Sequence, residues 1–117
     1  SIDWLCLPRF DSPSCFAALV GTADNGRWRI APADPDAICE RSYIDGSLVL
    51  QTVWTTATGR ARVIDFMPFA GEQSGVTRIV EGLEGRVDFE AVLTIRFDYG
   101  TAVPWVTRVD DTALTVS

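Results

Sequence analysis

The stretch VDFEAVLTIRF, residues 87–97, decides the fold class. Val87, Phe89, Ala91, Leu93, Ile95 and Phe97 fall on one face of an extended chain. Asp88, Glu90, Thr94 and Arg96 fall on the other, and Val92 is the only break. An extended backbone turns successive side chains to opposite sides, so a period of two marks a strand with one buried and one wet face. Antiparallel sheets produce that pattern, whereas parallel sheets, covered on both sides, read as continuous apolar runs. The neighbouring segments repeat the signal between turn residues. Residues 76–83 end at Glu84-Gly85 and are expected to form a hairpin with the long strand. Residues 48–56 follow Asp45-Gly46 and join residues 61–67 through Thr58-Gly59, a second expected hairpin. Residues 28–31, entered from Asp24-Asn25-Gly26, residues 38–44, and the pair 106–109 and 113–116 around Asp110-Asp111 complete about eight strands; only residues 15–20 leave room for a helical turn. The pattern predicts an all-β fold, an antiparallel β-sandwich.

The chain has 117 residues, enough for one domain. A chain of that size buries roughly two-thirds of the surface it exposes when unfolded. It shows no internal repeat, low-complexity stretch or linker. The alternation still runs at Thr115-Val116-Ser117, which predicts a sandwich truncated at its carboxyl end. A sheet cut there would leave unpaired backbone groups and bare apolar surface, so either a large apolar patch or a homo-oligomer formed through the exposed sheet edge is expected.

Sixteen acidic residues oppose ten basic ones, for a net charge of −6. Every basic residue is arginine. A chain of this sign repels phosphate backbones, which argues against nucleic acid as a partner. No apolar run is long enough for a membrane span, and the opening has no signal-peptide pattern. The absence of histidine excludes a Ser–His–Asp triad, a Cys–His dyad and a histidine-ligated metal. The absence of lysine excludes a Schiff base. Cys6, Cys15 and Cys39 carry no CxxC spacing and are too few for a zinc site, so no metal and no cofactor is expected. They read as buried free thiols of a reducing compartment, hence a cytoplasmic protein; a Cys6–Cys15 disulfide is the alternative.

The opening SIDWLCLPRFDSPSCF, residues 1–16, is the densest in chemistry. It holds Trp4, Arg9, Phe10 and Asp11 on a segment stiffened by two prolines, the composition of a ligand-binding wall. On the residues alone the favoured reading is a folded-back core segment, with Trp4 and Phe10 inside and Arg9 paired to Asp3 or Asp11. Trp105, after Pro104 and the Asp98-Tyr99-Gly100 turn, is the best candidate for an exposed aromatic on which a sugar ring stacks. Trp54, on the face of Leu48 and Leu50, reads as core. Glycoside hydrolysis needs two carboxyl groups about 5–10 Å apart across a sugar. Asp3 with Asp11, Asp65 alone, Glu81 with Glu84, and Asp110 with Asp111 offer no convincing pair, so no catalytic residue is assigned.

Five blocks then occur in order: SIDWLCLPRFDSPSCFAALVG at the start, NGRWRIAP at 25–32, VIDFMP at 63–68, RIVEGLEGRV at 78–87 and RFDYG at 96–100. Together they resemble the amino-terminal region of bacterial glycoside hydrolase family 15 proteins, the glucoamylase and trehalase-like group, over nearly the whole chain. The resemblance implies that residues 1–117 are part of an amino-terminal β-sandwich domain. In that family the sandwich precedes a catalytic (α/α) helical barrel carrying two glutamates, which hydrolyse α-glucosidic bonds with inversion. No helical-barrel sequence is present in this chain. The expected partners are therefore that barrel of the same protein and an oligosaccharide or disaccharide of glucose. The resemblance implies a non-catalytic accessory role in which Trp4, Arg9, Phe10 and Asp11, with Tyr99 and Trp105, could reach the substrate pocket. A stand-alone carbohydrate-binding module, or a structural interaction module, is the alternative.

Overall fold

A computed structural model of the chain describes residues 1–7, 9, 11–68, 75–108 and 114–116. Among the described residues the regular structure is ten strands and two single 3-10 turns, Ala18–Val20 and Ala23–Asn25. The strands are β1 (Leu5–Cys6), β2 (Ser14–Phe16), β3 (Arg27–Pro32), β4 (Ile38–Tyr43), β5 (Leu50–Thr55), β6 (Gly59–Phe66), β7 (Thr77–Gly85), β8 (Phe89–Thr94), β9 (Val106–Arg108) and β10 (Leu114–Val116). The fold is all-β with antiparallel ladders, consistent with the expected sandwich class. Among the described residues no helix is long and apolar enough to cross a membrane. The chain divides into two compact units, residues 1–29 with 91–117, and residues 30–90.

The 30–90 unit is built on a four-stranded meander, β4-β5-β6-β7. Residues directly opposed in an antiparallel ladder share a face. Thr52, Val63 and Val80 form one such row across β5, β6 and β7, and Trp54, Ala61 and Gly82 form the next. Thr52, Ala61 and Val63 on this face are buried. On the same face, the row beyond Thr52 is Leu50, Asp65 and Arg78. There the Arg78 Nε donates to Asp65 Oδ1 at 2.7 Å, and its Nη2 donates to Oδ2 at 3.2 Å. The Arg78 side chain is 3% exposed and that of Asp65 17%, so a two-pronged charge pair closes the buried face. The opposite face is wet: Arg62 donates to Glu81 on β7 at 2.7 Å and to Gln51 on β5 at 3.1 Å.

Strand positions match the alternation, but one pairing and several side chains do not. The β5–β6 hairpin forms as expected. The β7–β8 hairpin does not: β7 pairs with β6, and β8 pairs with β3. Gly85 takes a left-handed φ of +59° opposite Gly59, and Arg86 N–H donates to the Thr58 carbonyl at 3.1 Å. The glycine therefore turns the chain off the end of the ladder rather than back along β7, and Ala33 N–H meets the Asp88 carbonyl at 2.8 Å. On β8, Phe89 is half-buried, but Leu93 of the expected inner face is 48% exposed, and Phe97 beyond it is also exposed. Leu48 does not share the face of Trp54; it lies before β5 and is 85% exposed. Trp54 is half-buried. An open apolar groove of about 1010 Å³ lies beside Leu48, between Tyr43, Ile44, Phe66 and Met67.

The Asp65–Arg78 pair makes a stability prediction. Asp65→Asn removes the carboxylate that grips a buried guanidinium, and such losses cost about 3–5 kcal/mol. Asp88→Asn removes the partner of an exposed arginine, Arg86, and should cost less than about 1 kcal/mol. Urea unfolding midpoints of the two variants measure the difference; equal midpoints would show that the buried pair does not hold the sheet.

Candidate functional site

The 1–29 and 91–117 unit holds the sequence-derived site residues. Its opening segment is folded, not a bare loop: β1 pairs with β2, a short ladder hidden from pattern reading by its length and its flanking prolines. Ile2 exchanges two backbone hydrogen bonds with Trp28, at 2.8 and 3.0 Å, and Leu19 N–H donates to the Asp3 carbonyl at 3.0 Å. Behind the ladder Phe16 and Ala17 are buried, and so is Ser14, whose hydroxyl has no hydrogen-bond partner among the described residues. The expected helical turn appears as the 3-10 turn at Ala18–Val20, after β2 has ended.

Between β1 and β2 the chain reverses in a tight turn. Ser12 N–H donates to the Arg9 carbonyl at 3.1 Å, and Arg9 N–H donates to the Ser12 hydroxyl at 3.3 Å. The Arg9 guanidinium grips Asp11 with contacts of 3.1 and 3.2 Å, both side chains mostly in solvent. An exposed pair of this kind contributes little to stability; its two polar heads remain available to a ligand hydroxyl. Asp3 takes no part in it and accepts from the Ser1 hydroxyl.

A second loop brings Tyr99 to Trp4. Phe97 and Ala102 exchange backbone hydrogen bonds at 2.9 and 3.0 Å and close a hairpin. At its tip Asp98 and Tyr99 hold left-handed φ values of +51° and +56°, and Gly100 holds +93°. A left-handed tyrosine costs about 1 kcal/mol and persists only where its surroundings hold it. Here the Thr101 hydroxyl donates to the Asp98 carbonyl at 2.7 Å. Gly100 presses on Asn25, where an added Cβ would lie 3.0 Å from the Asn25 Cβ. Asn25 is itself fixed, accepting from Thr22 N–H at 2.9 Å in a capping box. The result is a Trp4–Tyr99 contact with ring centroids 6.0 Å apart and planes tilted by 36°, both rings half in solvent.

The structure therefore brings Arg9 to Asp11 and Trp4 to Tyr99. Trp105 is 84% exposed, as an aromatic platform requires, but no ring contact joins it to either pair among the described residues. Phe10 lies outside the described residues, as do Asp110 and Asp111. Of the carboxylates weighed for catalysis, Asp65 is held by Arg78 and Glu81 by Arg62. All three cysteines are free; Cys6 and Cys15 are half-buried, while Cys39 is exposed, contrary to the expectation that all are buried. Cys39 lies on β4, an edge strand of the meander. The residues sequence reasoning missed are Asn25 and Thr22; their signal, Thr-x-x-Asn before a glycine, is a capping pattern.

Gly100→Ala places a side chain at a left-handed φ and against Asn25, so it should destabilise by more than about 1 kcal/mol and weaken the near-ultraviolet dichroism of the Trp4–Tyr99 pair. Gly82→Ala, in open space on β7, should change neither. A near-ultraviolet spectrum unaltered by Gly100→Ala would separate the left-handed tip from the aromatic contact.

The family model described as "Trehalase-like, N-terminal" matches residues 1–117. A trehalase of Mycolicibacterium smegmatis is 44% identical over 59 residues, 50% of this chain and 9% of its own length. Trehalase 1 of Sulfolobus acidocaldarius is 34% identical over 112 residues, 95% of this chain and 19% of its own. A trehalase of Thermoplasma acidophilum is 32% identical over 115 residues, 92% of this chain and 20% of its own. No solved structure matches the chain significantly. The chain thus spans at most about a fifth of these relatives, and with the family pattern covering it from end to end it belongs to the trehalase-like N-terminal family.

Proposed function

We propose that this chain is the non-catalytic β-sandwich accessory domain of a glycoside hydrolase of the family 15 type, acting on α-glucosidic bonds such as those of trehalose. It packs on the catalytic helical barrel of the same protein and lends its loop edge to the substrate pocket. The observation that carries the reading is the family match over residues 1–117, in a chain about a fifth as long as its trehalase relatives. The apolar groove beside Leu48, with Tyr43 and Met67 exposed, supports packing against further protein. Three free thiols fit a reducing, cytoplasmic setting.

At the pocket edge the assignments follow from chemistry. Trp4 and Tyr99 present aromatic faces on which a glucose ring stacks. Arg9 and Asp11 provide a donor fork and an acceptor, the combination that grips vicinal hydroxyls. Cleavage itself needs an acid, a base and a water placed between them, and the proposal leaves those to the barrel.

In the full-length enzyme, Trp4→Ala should raise KM for trehalose up to about tenfold, the worth of one stacking contact. Arg9→Ala should raise KM with the fold intact. Unchanged KM and kcat in both variants, at unchanged melting temperature, would remove the loop from the pocket. The exposed Trp105 keeps a second reading open, a self-sufficient sugar-binding module. Millimolar or tighter binding of trehalose or maltotriose to the domain alone, by titration calorimetry, would favour that reading over the first.

A further inference from the structure

We propose that Cys6 and Cys15 form a reversible intramolecular disulfide, so that the opening segment is a thiol–disulfide modification site. The geometry lies in the β1–β2 ladder. Leu5 opposes Phe16 and Cys6 opposes Ser14, with the register slipping between them. Cys15 is the extra residue, and in a bulge two residues of one strand face a single residue of the other. Cys15 therefore lies opposite the Leu5–Cys6 step. Opposed residues in antiparallel ladders have Cα atoms about 4.5–5.5 Å apart, inside the range of about 4.4–6.8 Å that a disulfide bridges. The Cys15 thiol donates to the Leu5 carbonyl at 3.3 Å, which holds its sulfur over the backbone next to Cys6. Burial first, and charge on Cys6 after it, push the Cys15 thiol above its ordinary pKa.

Other uses of the pair are weaker. A metal needs a third ligand, and no group of three cysteine, histidine, aspartate or glutamate side chains among the described residues could hold one. Cys39 belongs to the other unit, on β4.

The oxidant is a small disulfide such as oxidised glutathione. The Cys6 thiolate attacks one of its sulfurs, forming a mixed disulfide and releasing one glutathione thiolate. The Cys15 thiol loses its proton, and its sulfur attacks the Cys6 sulfur. The Cys6–Cys15 bond forms and the second glutathione thiolate leaves. The two protein thiols together lose two electrons and two protons, and the small disulfide is reduced to two thiols. A dithiol reverses the sequence. Cys15, with its raised pKa, is the slower nucleophile and hence the resolving thiol. The closed ring spans residues 6–15 and ties down the turn that carries Arg9 and Asp11.

The test uses the intact protein, incubated with oxidised glutathione, alkylated, and cleaved with trypsin after arginine. Because Arg9 lies between the two cysteines, the peptide ending at Arg9 should be recovered joined to peptide 10–27, and reduction with dithiothreitol should separate them. The melting temperature should rise on oxidation and return on reduction. Cys15→Ser should trap glutathione on Cys6 and abolish both effects. Recovery of the two peptides unlinked, each alkylated or each carrying its own glutathione, would overturn the proposal, as would a link found only between two copies of the chain.

Discussion

Arg78 carries its charge into a place that water barely reaches, and Asp65 is the reason it can stay there. A buried guanidinium is tolerated only where a carboxylate meets it in good geometry. The match is a fork on a fork, with both Asp65 oxygens engaged. Such a pair is specific as well as strong in its demands. Sliding β7 by one residue along β6 would turn Arg78 to the wet face and leave Asp65 alone on the dry one. The pair therefore fixes the β6–β7 register. That register sets Val80 against Val63, and through Val63 it sets Thr52 on β5. With so few fully buried side chains among the described residues of the 30–90 unit, a register lock of this kind matters more than it would in a thick core.

What the sequence revealed follows from how far apart the partners lie. The β5–β6 hairpin was legible because Thr58-Gly59 sits between two alternating runs, so the turn and its ladder are one local event. The same logic failed at Glu84-Gly85. The glycine was read correctly as a change of direction, but its conformation serves the contact with Thr58 and Gly59, residues far back along the chain. No local pattern encodes that contact. Burial was misread for a related reason. Alternation states which residues share a face, not whether anything covers it, and Leu93 shares the expected inner face of its strand while standing half in water.

The site shows the same division between residue types and partners. Aromatic and charged residues in the opening segment are visible as chemistry, and Trp105 as an outlying aromatic, with Tyr99 added by the family resemblance. That Trp4 would find Tyr99 and not Trp105 depends on the left-handed tip of the Phe97–Ala102 hairpin, braced by Asn25. The Asp-Tyr-Gly sequence announces a turn. It does not announce that the tyrosine takes the strained position, because strain of this sort is paid by neighbours that a linear reading does not see.

These constraints converge on one short segment. The opening sixteen residues supply a ladder, a tight turn, an exposed ion pair, one half of an aromatic contact and two thiols. A loop with that many duties cannot be held by packing alone, because its turn is mostly in solvent and its ion pair is worth little. Its order comes from its ends: the Ile2–Trp28 bridge on one side and buried Phe16 and Ala17 on the other. The ladder therefore anchors the turn that carries Arg9 and Asp11, alongside the turn's own Arg9–Ser12 hydrogen bonds. The register slip at Cys15 lies within that ladder, at the base of the turn that carries Arg9 and Asp11.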